Sequence, residues 1–98
     1  MKNYIVEGTL INADLINDGI MKEHMAYTQK AMDEGLILMS GLKADNSGGI
    51  FIIKAESLEN LEEYLNNEPF KVNGIQGYRV IEFSPHYFNK THNQWFNL

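Results

Sequence analysis

The sequence predicts an α+β fold of the ferredoxin-like kind, an antiparallel sheet of four strands in the order β-α-β-β-α-β with both helices on one face. Two observations predict it. Four stretches read as strands, by alternation or by apolar β-branched runs, and two stretches among them switch to helical spacing in that order. The length of 98 residues also suits one domain, because chains of this size rarely hold two independent cores.

Asn3 to Ile11 is β-branched and aromatic enough for the first strand, with Tyr4, Val6, Gly8 and Leu10 on one face and Ile5, Glu7, Thr9 and Ile11 on the other. The following loop ends in Asn17-Asp18, a capping pair for a helix from Gly19 to Glu34. Its inward stripe is expected to carry Met21, Met25 and Met32 in one row and Ile20, Tyr27 and Ala31 in the next, with His24 among them. Gly35 supplies the usual left-handed stop. Leu36 to Leu42 is apolar on both faces, as a strand covered on both sides would be. Asp45 to Gly49 has turn chemistry, Gly48-Gly49 included, and Ile50 to Ala55 returns as the hairpin partner. Ser57 caps a second helix through about Asn66, with Leu58, Leu61 and Leu65 inward and Pro69 ending it. Gln76 to Ser84 alternates as the last strand, and Pro85 closes it.

This order leaves one sheet face without helices. Burying an apolar side chain is worth roughly 1.5 to 3 kcal/mol, so wet apolar residues on that face would weigh heavily on a domain this small. A second copy of the chain is the simplest cover, giving a homodimer whose sheets pack face to face as a dimeric α+β barrel. Residues 1–85 form the domain in this reading. Residues 86–98 form a tail whose Tyr87, Phe88, Trp95 and Phe96 are expected to pack on the chain's own sheet edge or on the partner.

Charge and composition narrow the function. The formal net charge of −5, with eight scattered Lys and Arg, argues against nucleic acid. Glu56, Glu59, Glu62 and Glu63 read as a solvated helix face. Without cysteine there is no disulfide framework and no thiolate chemistry, which fits a cytoplasmic protein. No apolar signal core stands near the N-terminus, and no run approaches the ~20 residues of a membrane span.

Among candidate residues His24 is the most informative, because an imidazole on an apolar stripe needs explaining. Histidine exchanges protons near neutral pH, so a half-buried one is a candidate general acid/base, beside the reading as a hydrogen-bonded core residue. Ser40, in an apolar strand, is a candidate to hydrogen-bond a ligand, though strand serines also bond backbone or water. Glu7 and Arg79 interrupt neighbouring strands. They either pair across the sheet or, if Arg79 reaches a pocket, select a carboxylate-bearing substrate. Tyr27 and Tyr78 read as wall or core. His86 and His92 have no acidic partner at ligand spacing, so no metal is expected. No Gly-x-Ser-x-Gly elbow marks a nucleophile, and Gly48-Gly49 lacks the other glycines of a phosphate loop.

The segments E-H-M-A-Y (Glu23 to Tyr27), M-D-E-G-L-I-L-M-S-G-L (Met32 to Leu42), E-S-L-E-N-L-E-E-Y (Glu56 to Tyr64) and N-E-P-F-K-V-N-G (Asn67 to Gly74) resemble, in this order, the YciI-like family. The resemblance spans Tyr4 to about Pro85. It implies small dimeric α+β barrels with a pocket on each subunit, in which the helix histidine, here His24, is the proposed catalytic group. It also implies a carboxylate near that histidine from an Asp-Pro-Phe or Asp-Pro-Tyr motif. Here that motif is Glu68-Pro69-Phe70, so Glu68 becomes the second catalytic candidate and Phe70 a substrate-binding one. The extra methylene of glutamate is expected to move the oxygens by about 1 Å or more, enough to matter for proton transfer. Glu68 otherwise reads as a solvated residue at a helix end. Met39-Ser40-Gly41-Leu42 lacks the proline of the family's Thr/Ser-Ala-Gly-Pro pattern.

Two function classes follow. One is a lyase or isomerase that needs no cofactor, moving a proton on a small organic acid, lactone or aromatic through His24. The other is a non-catalytic dimeric module that binds a small molecule, favoured if His24 is walled in by Met and Tyr with no cavity. A haem-degrading or quinol-oxidising monooxygenase on the related barrel is a third.

Overall fold

The structure is a computed structural model and describes residues 1–96. Its strands are β1 (Lys2–Leu10), β2 (Ile37–Leu42), β3 (Gly48–Ala55) and β4 (Gln76–Phe83). Its helices are α1 (Asp18–Asp33), α2 (Leu58–Asn66) and α3 (Pro69–Val72). All strand pairs are antiparallel in the order β2-β3-β1-β4, with β1 held along its length by β3 and β4. This is the expected α+β, ferredoxin-like arrangement, the protomer fold of dimeric α+β barrels. No helix among the described residues is long and apolar enough to cross a membrane.

Local chemistry sets the ends of the elements. Asn17 caps α1 by accepting from Ile20 N–H at 2.8 Å, and Ser57 caps α2 by accepting from Asn60 N–H at 3.1 Å. Gly35 follows α1 at φ 77°, the expected left-handed stop. Pro69, expected to end the second helix, instead begins α3, where its missing N–H is not needed. The turn after β2 is shorter than expected. Asn46 takes positive φ at its tip, while Gly48 and Gly49 are already strand residues opposite Thr9 and Gly8. The reason is steric: a Cβ on Gly48 would lie 1.9 Å from the Gly8 carbonyl oxygen, so the two strands meet this closely only at glycine.

Strand alternation divides the sheet into two faces. The helices pack on the face of Tyr4 and Val6, which form one core with Ile37, Ile53, Ala31, Leu61 and Leu65. Leu58, expected inward, is 42% exposed. At about 100° per residue it lies roughly 65° from the middle of the stripe set by Leu61, Tyr64 and Leu65. Met21 and Met25 are also exposed, so their row leaves the core and faces the cavity described below. On the opposite face, Met39, Ile52, Ile5 and Ile81 stand in register across all four strands. A register shift between Ile37 and Met39 leaves Leu38 exposed beside them. Beyond Phe83 the described tail does not fold onto the sheet: Tyr87, Phe88, Trp95 and Phe96 are between 57% and 89% exposed. Positions 97 and 98 of the tail lie outside the described residues.

Candidate active site

Three elements bring one cluster together at the β1–β4 end of the helix layer. α1 supplies His24, the α2–α3 junction supplies Glu68 and Phe70, and β4 supplies Gln76 and Tyr78. Glu68 is placed by its own backbone role as N-cap of α3, where Oε2 accepts from Phe70 N–H at 3.0 Å. That bond turns the other oxygen, Oε1, toward α1, where it stands 2.5 Å from His24 Nδ1. The extra methylene of glutamate therefore does not open a gap. Oε2 accepts a second bond from the Tyr78 hydroxyl at 2.7 Å, and Gln76 Nε2 donates to the Tyr78 oxygen at 3.1 Å. Glu68 is 3% exposed, so it is buried with its hydrogen-bond donors and is not a solvated helix end.

The ring of Phe70 lies parallel to that of His24, with centroids 3.8 Å apart and planes 5° from parallel. Stacking fixes the plane of the imidazole and Glu68 fixes its rotation. An ionised carboxylate is only an acceptor, so the bond assigns Nδ1–H to the neutral ring and leaves Nε2 with a lone pair. Nε2 has no hydrogen-bond partner among the described residues. His24 borders a cavity of about 610 Å³, whose walls include Met21, Met25, Leu42, Phe51 and Phe70.

The other sequence candidates divide between the two faces. Ser40 stands opposite Phe51 on the helix face and lines the cavity. Glu7 and Arg79 are not brought to the cavity. They are paired across β1 and β4 on the opposite face, with Arg79 Nε donating to Glu7 Oε1 at 3.0 Å. Lys43 Nζ reaches Glu7 Oε2 at 2.9 Å and Thr9 Oγ1 at 2.9 Å. Lys43 foremost, and then Arg79, hold the Glu7 carboxyl below the usual carboxylate range. Tyr27 does not line the cavity: it is half-buried against the Tyr64 ring and donates to the Tyr64 carbonyl at 2.7 Å. In the tail, His86 stacks on Tyr87 and His92 Nδ1 contacts the Asn89 carbonyl.

Sequence reasoning missed Tyr78 and Gln76 as members of the site. The available signal is that polar Gln76 and Tyr78 share the inward face of the last strand with Val80. Gly8, opposite Tyr78, leaves the space that Gln76 fills, since a Cβ there would lie 2.8 Å from the Gln76 amide carbon.

Burial, and then the Glu68 hydrogen bond, push the Tyr78 hydroxyl well above its usual value, so it remains a neutral donor to Glu68. Burial also raises Tyr64 and Tyr27. Tyrosines in the unfolded chain ionise near pH 10. Below that pH both states keep their protons and the stabilisation is complete; above it only the unfolded chain releases them, so stability falls as pH rises. Urea midpoints measured between about pH 9 and 11 should therefore decline above 10. The decline should be shallower in Tyr78→Phe.

A family model described as "YCII-related domain" matches residues 4–84. No curated protein matches the sequence. Among solved structures, the chain is similar to a 5-chloro-2-hydroxyhydroquinone dehydrochlorinase from Burkholderia phenoliruptrix, in complex with 2,5-dihydroxybenzoquinone. That match has a TM-score of 0.70 and 17% identity over 84% of this chain and 93% of that one. A muconolactone isomerase matches with a TM-score of 0.73 and 15% identity over 90% and 94%. An antibiotic biosynthesis monooxygenase matches with a TM-score of 0.55 and 15% identity over 89% and 100%. At these identities the likeness is one of fold.

Proposed function

The chain belongs to the YCII-related domain family, and from that premise we propose that it is a lyase or isomerase that needs no cofactor, with His24 as the acid/base and Glu68 as its partner. The observation that carries this reading is the 2.5 Å contact from Glu68 Oε1 to His24 Nδ1, made beside a cavity that Nε2 is free to serve. Nε2 takes a proton from an acidic C–H or O–H of a small organic substrate, and the Glu68 charge stabilises the imidazolium that forms. In an isomerisation the same proton returns to another atom of the substrate. In an elimination it leaves with the expelled anion as the conjugate acid. Tyr78 and Phe70 N–H keep the carboxylate fixed throughout, so little reorganisation accompanies the transfer. A non-catalytic binding module is the reading for a histidine walled in without a cavity, and His24 borders one.

We also propose that the chain works as a homodimer in the cytoplasm. The Met39–Ile52–Ile5–Ile81 row gives the open sheet face an apolar stripe in register, suited to a second copy. The exposed aromatic tail would then pack on the partner.

Deuterium exchange from heavy water tests the proton transfer whatever the overall reaction. A panel of enolisable lactones, small organic acids and hydroxylated aromatics is followed by NMR for incorporation at carbon. Exchange of at least one compound that is catalysed by the native protein and lost in His24→Gln is expected. Exchange that persists in His24→Gln would contradict the assignment.

A further inference from the structure

We propose that the cavity takes an uncharged ring compound bearing hydroxyl groups, seated with one hydroxyl on His24 Nε2, and that it discriminates against rings carrying a carboxylate. The inference deepens the proton-transfer reading and rests on it, because it uses the same nitrogen of the same ring.

Charge is the first argument. Glu68 is the acidic side chain on the cavity wall, and among the described residues no Lys or Arg lines it. Two cations that would draw in an anion, Lys43 and Arg79, are held by Glu7 on the other face of the sheet. With the His24 ring in its neutral form, a carboxylate ligand would lose water and gain no counter-charge from the cavity wall, close to a buried carboxylate of the same sign. The net charge of −5 gives the chain an overall field that also disfavours anions.

Hydrogen bonding is the second. Tyr78 uses its proton on Glu68, and Gln76 uses an amide N–H on Tyr78. This leaves Gln76 Oε1 with no partner among the described residues, and it is an acceptor, as is His24 Nε2 in the tautomer that Glu68 selects. The open atoms of the polar chain therefore accept. Their complement is a ligand that donates, and hydroxyl groups do so without bringing charge.

Shape is the third. Met21, Met25, Leu42 and Phe70 present apolar and thioether surface to the cavity, and methionine sulfur packs well against aromatic ring edges. The volume of about 610 Å³ is in the usual range for a small-molecule site.

Resorcinol and 3-hydroxybenzoate test this directly, since they differ by one hydroxyl exchanged for a carboxylate. Each is titrated into protein carrying ring-labelled histidine and methyl-labelled methionine, and binding is read by NMR. Resorcinol should move the His24 Nε2 signal and the Met21 and Met25 methyl signals saturably, and should bind at least about tenfold more tightly than 3-hydroxybenzoate. Met25→Lys, at a rim position 62% exposed, should narrow that gap by strengthening the anion. Equal or tighter binding of 3-hydroxybenzoate, or no saturable binding of resorcinol, would overturn the proposal. Saturation without movement of Nε2 would overturn the placement of the hydroxyl. The preference is read from binding alone, so it fails or stands separately from the deuterium exchange that tests proton transfer.

Discussion

Glu68→Ala is expected to lower stability by about 2 to 4 kcal/mol and to reduce any His24-dependent exchange by a factor on the order of 10² or more. One carboxylate accepts from Phe70 N–H, from Tyr78 and from the His24 ring, so its loss leaves three donors behind. An unsatisfied buried donor costs about 1 to 3 kcal/mol, and the loss of a helix cap about 0.5 to 2, with some relief from water entering through the cavity. Glu68→Gln separates the two effects. It keeps an acceptor for Phe70 N–H and Tyr78 but removes the charge that stabilises the imidazolium. It should therefore recover most of the urea midpoint while exchange stays low. Equal loss of both in the two variants would mean that Glu68 acts only as a structural cap.

Gly48→Ala is expected to lower stability by about 3 to 4 kcal/mol, the sum of overpacking and left-handed strain. The new Cβ would meet backbone, the Gly8 carbonyl oxygen at 1.9 Å, and no rotamer change relieves that contact. The backbone at φ 148° also disfavours any L side chain. For a domain of this length the melting temperature should fall by roughly 12 to 32 °C, since 1 kcal/mol moves it by about 4 to 8 °C. The same separation of β1 from β3 would widen the cavity floor, where Gly8 and Gly49 face each other. A melting temperature within a few degrees of the native value would show that the strands part here at little cost.

The two variants also mark what sequence reasoning reached. Hydrophobic periodicity placed the four strands and two helices, because 2-residue and 3.6-residue periods separate the two element types. The short α3 escaped it. One turn carries too little pattern to register, and Pro69 is as natural at the first position of a helix as after its end. Periodicity also placed His24 inward, but an inward stripe reads the same whether it meets a core or a cavity. Met21 and Met25 therefore appeared as core and proved to be cavity wall. Glu68 was reached through family resemblance and not through spacing, since its partner lies 44 positions away. Tyr78 was undervalued for a similar reason: an aromatic on an alternating strand announces burial, while its hydroxyl partner is set by tertiary packing. Glu7 and Arg79 were legible as a cross-strand pair, yet which face they occupy follows from where the helices land. Gly48 and Gly49 looked like turn chemistry because glycine signals a turn and a close strand approach with the same residue.

The most direct test of the central claim is the nitrogen-15 spectrum of the His24 ring, which reports the proton on each nitrogen. With Glu68 holding Nδ1, the neutral ring should carry its proton there and leave Nε2 bare, and Glu68→Gln should abolish that preference. A native ring that carries its proton on Nε2, or divides it evenly between the two nitrogens, would contradict the account.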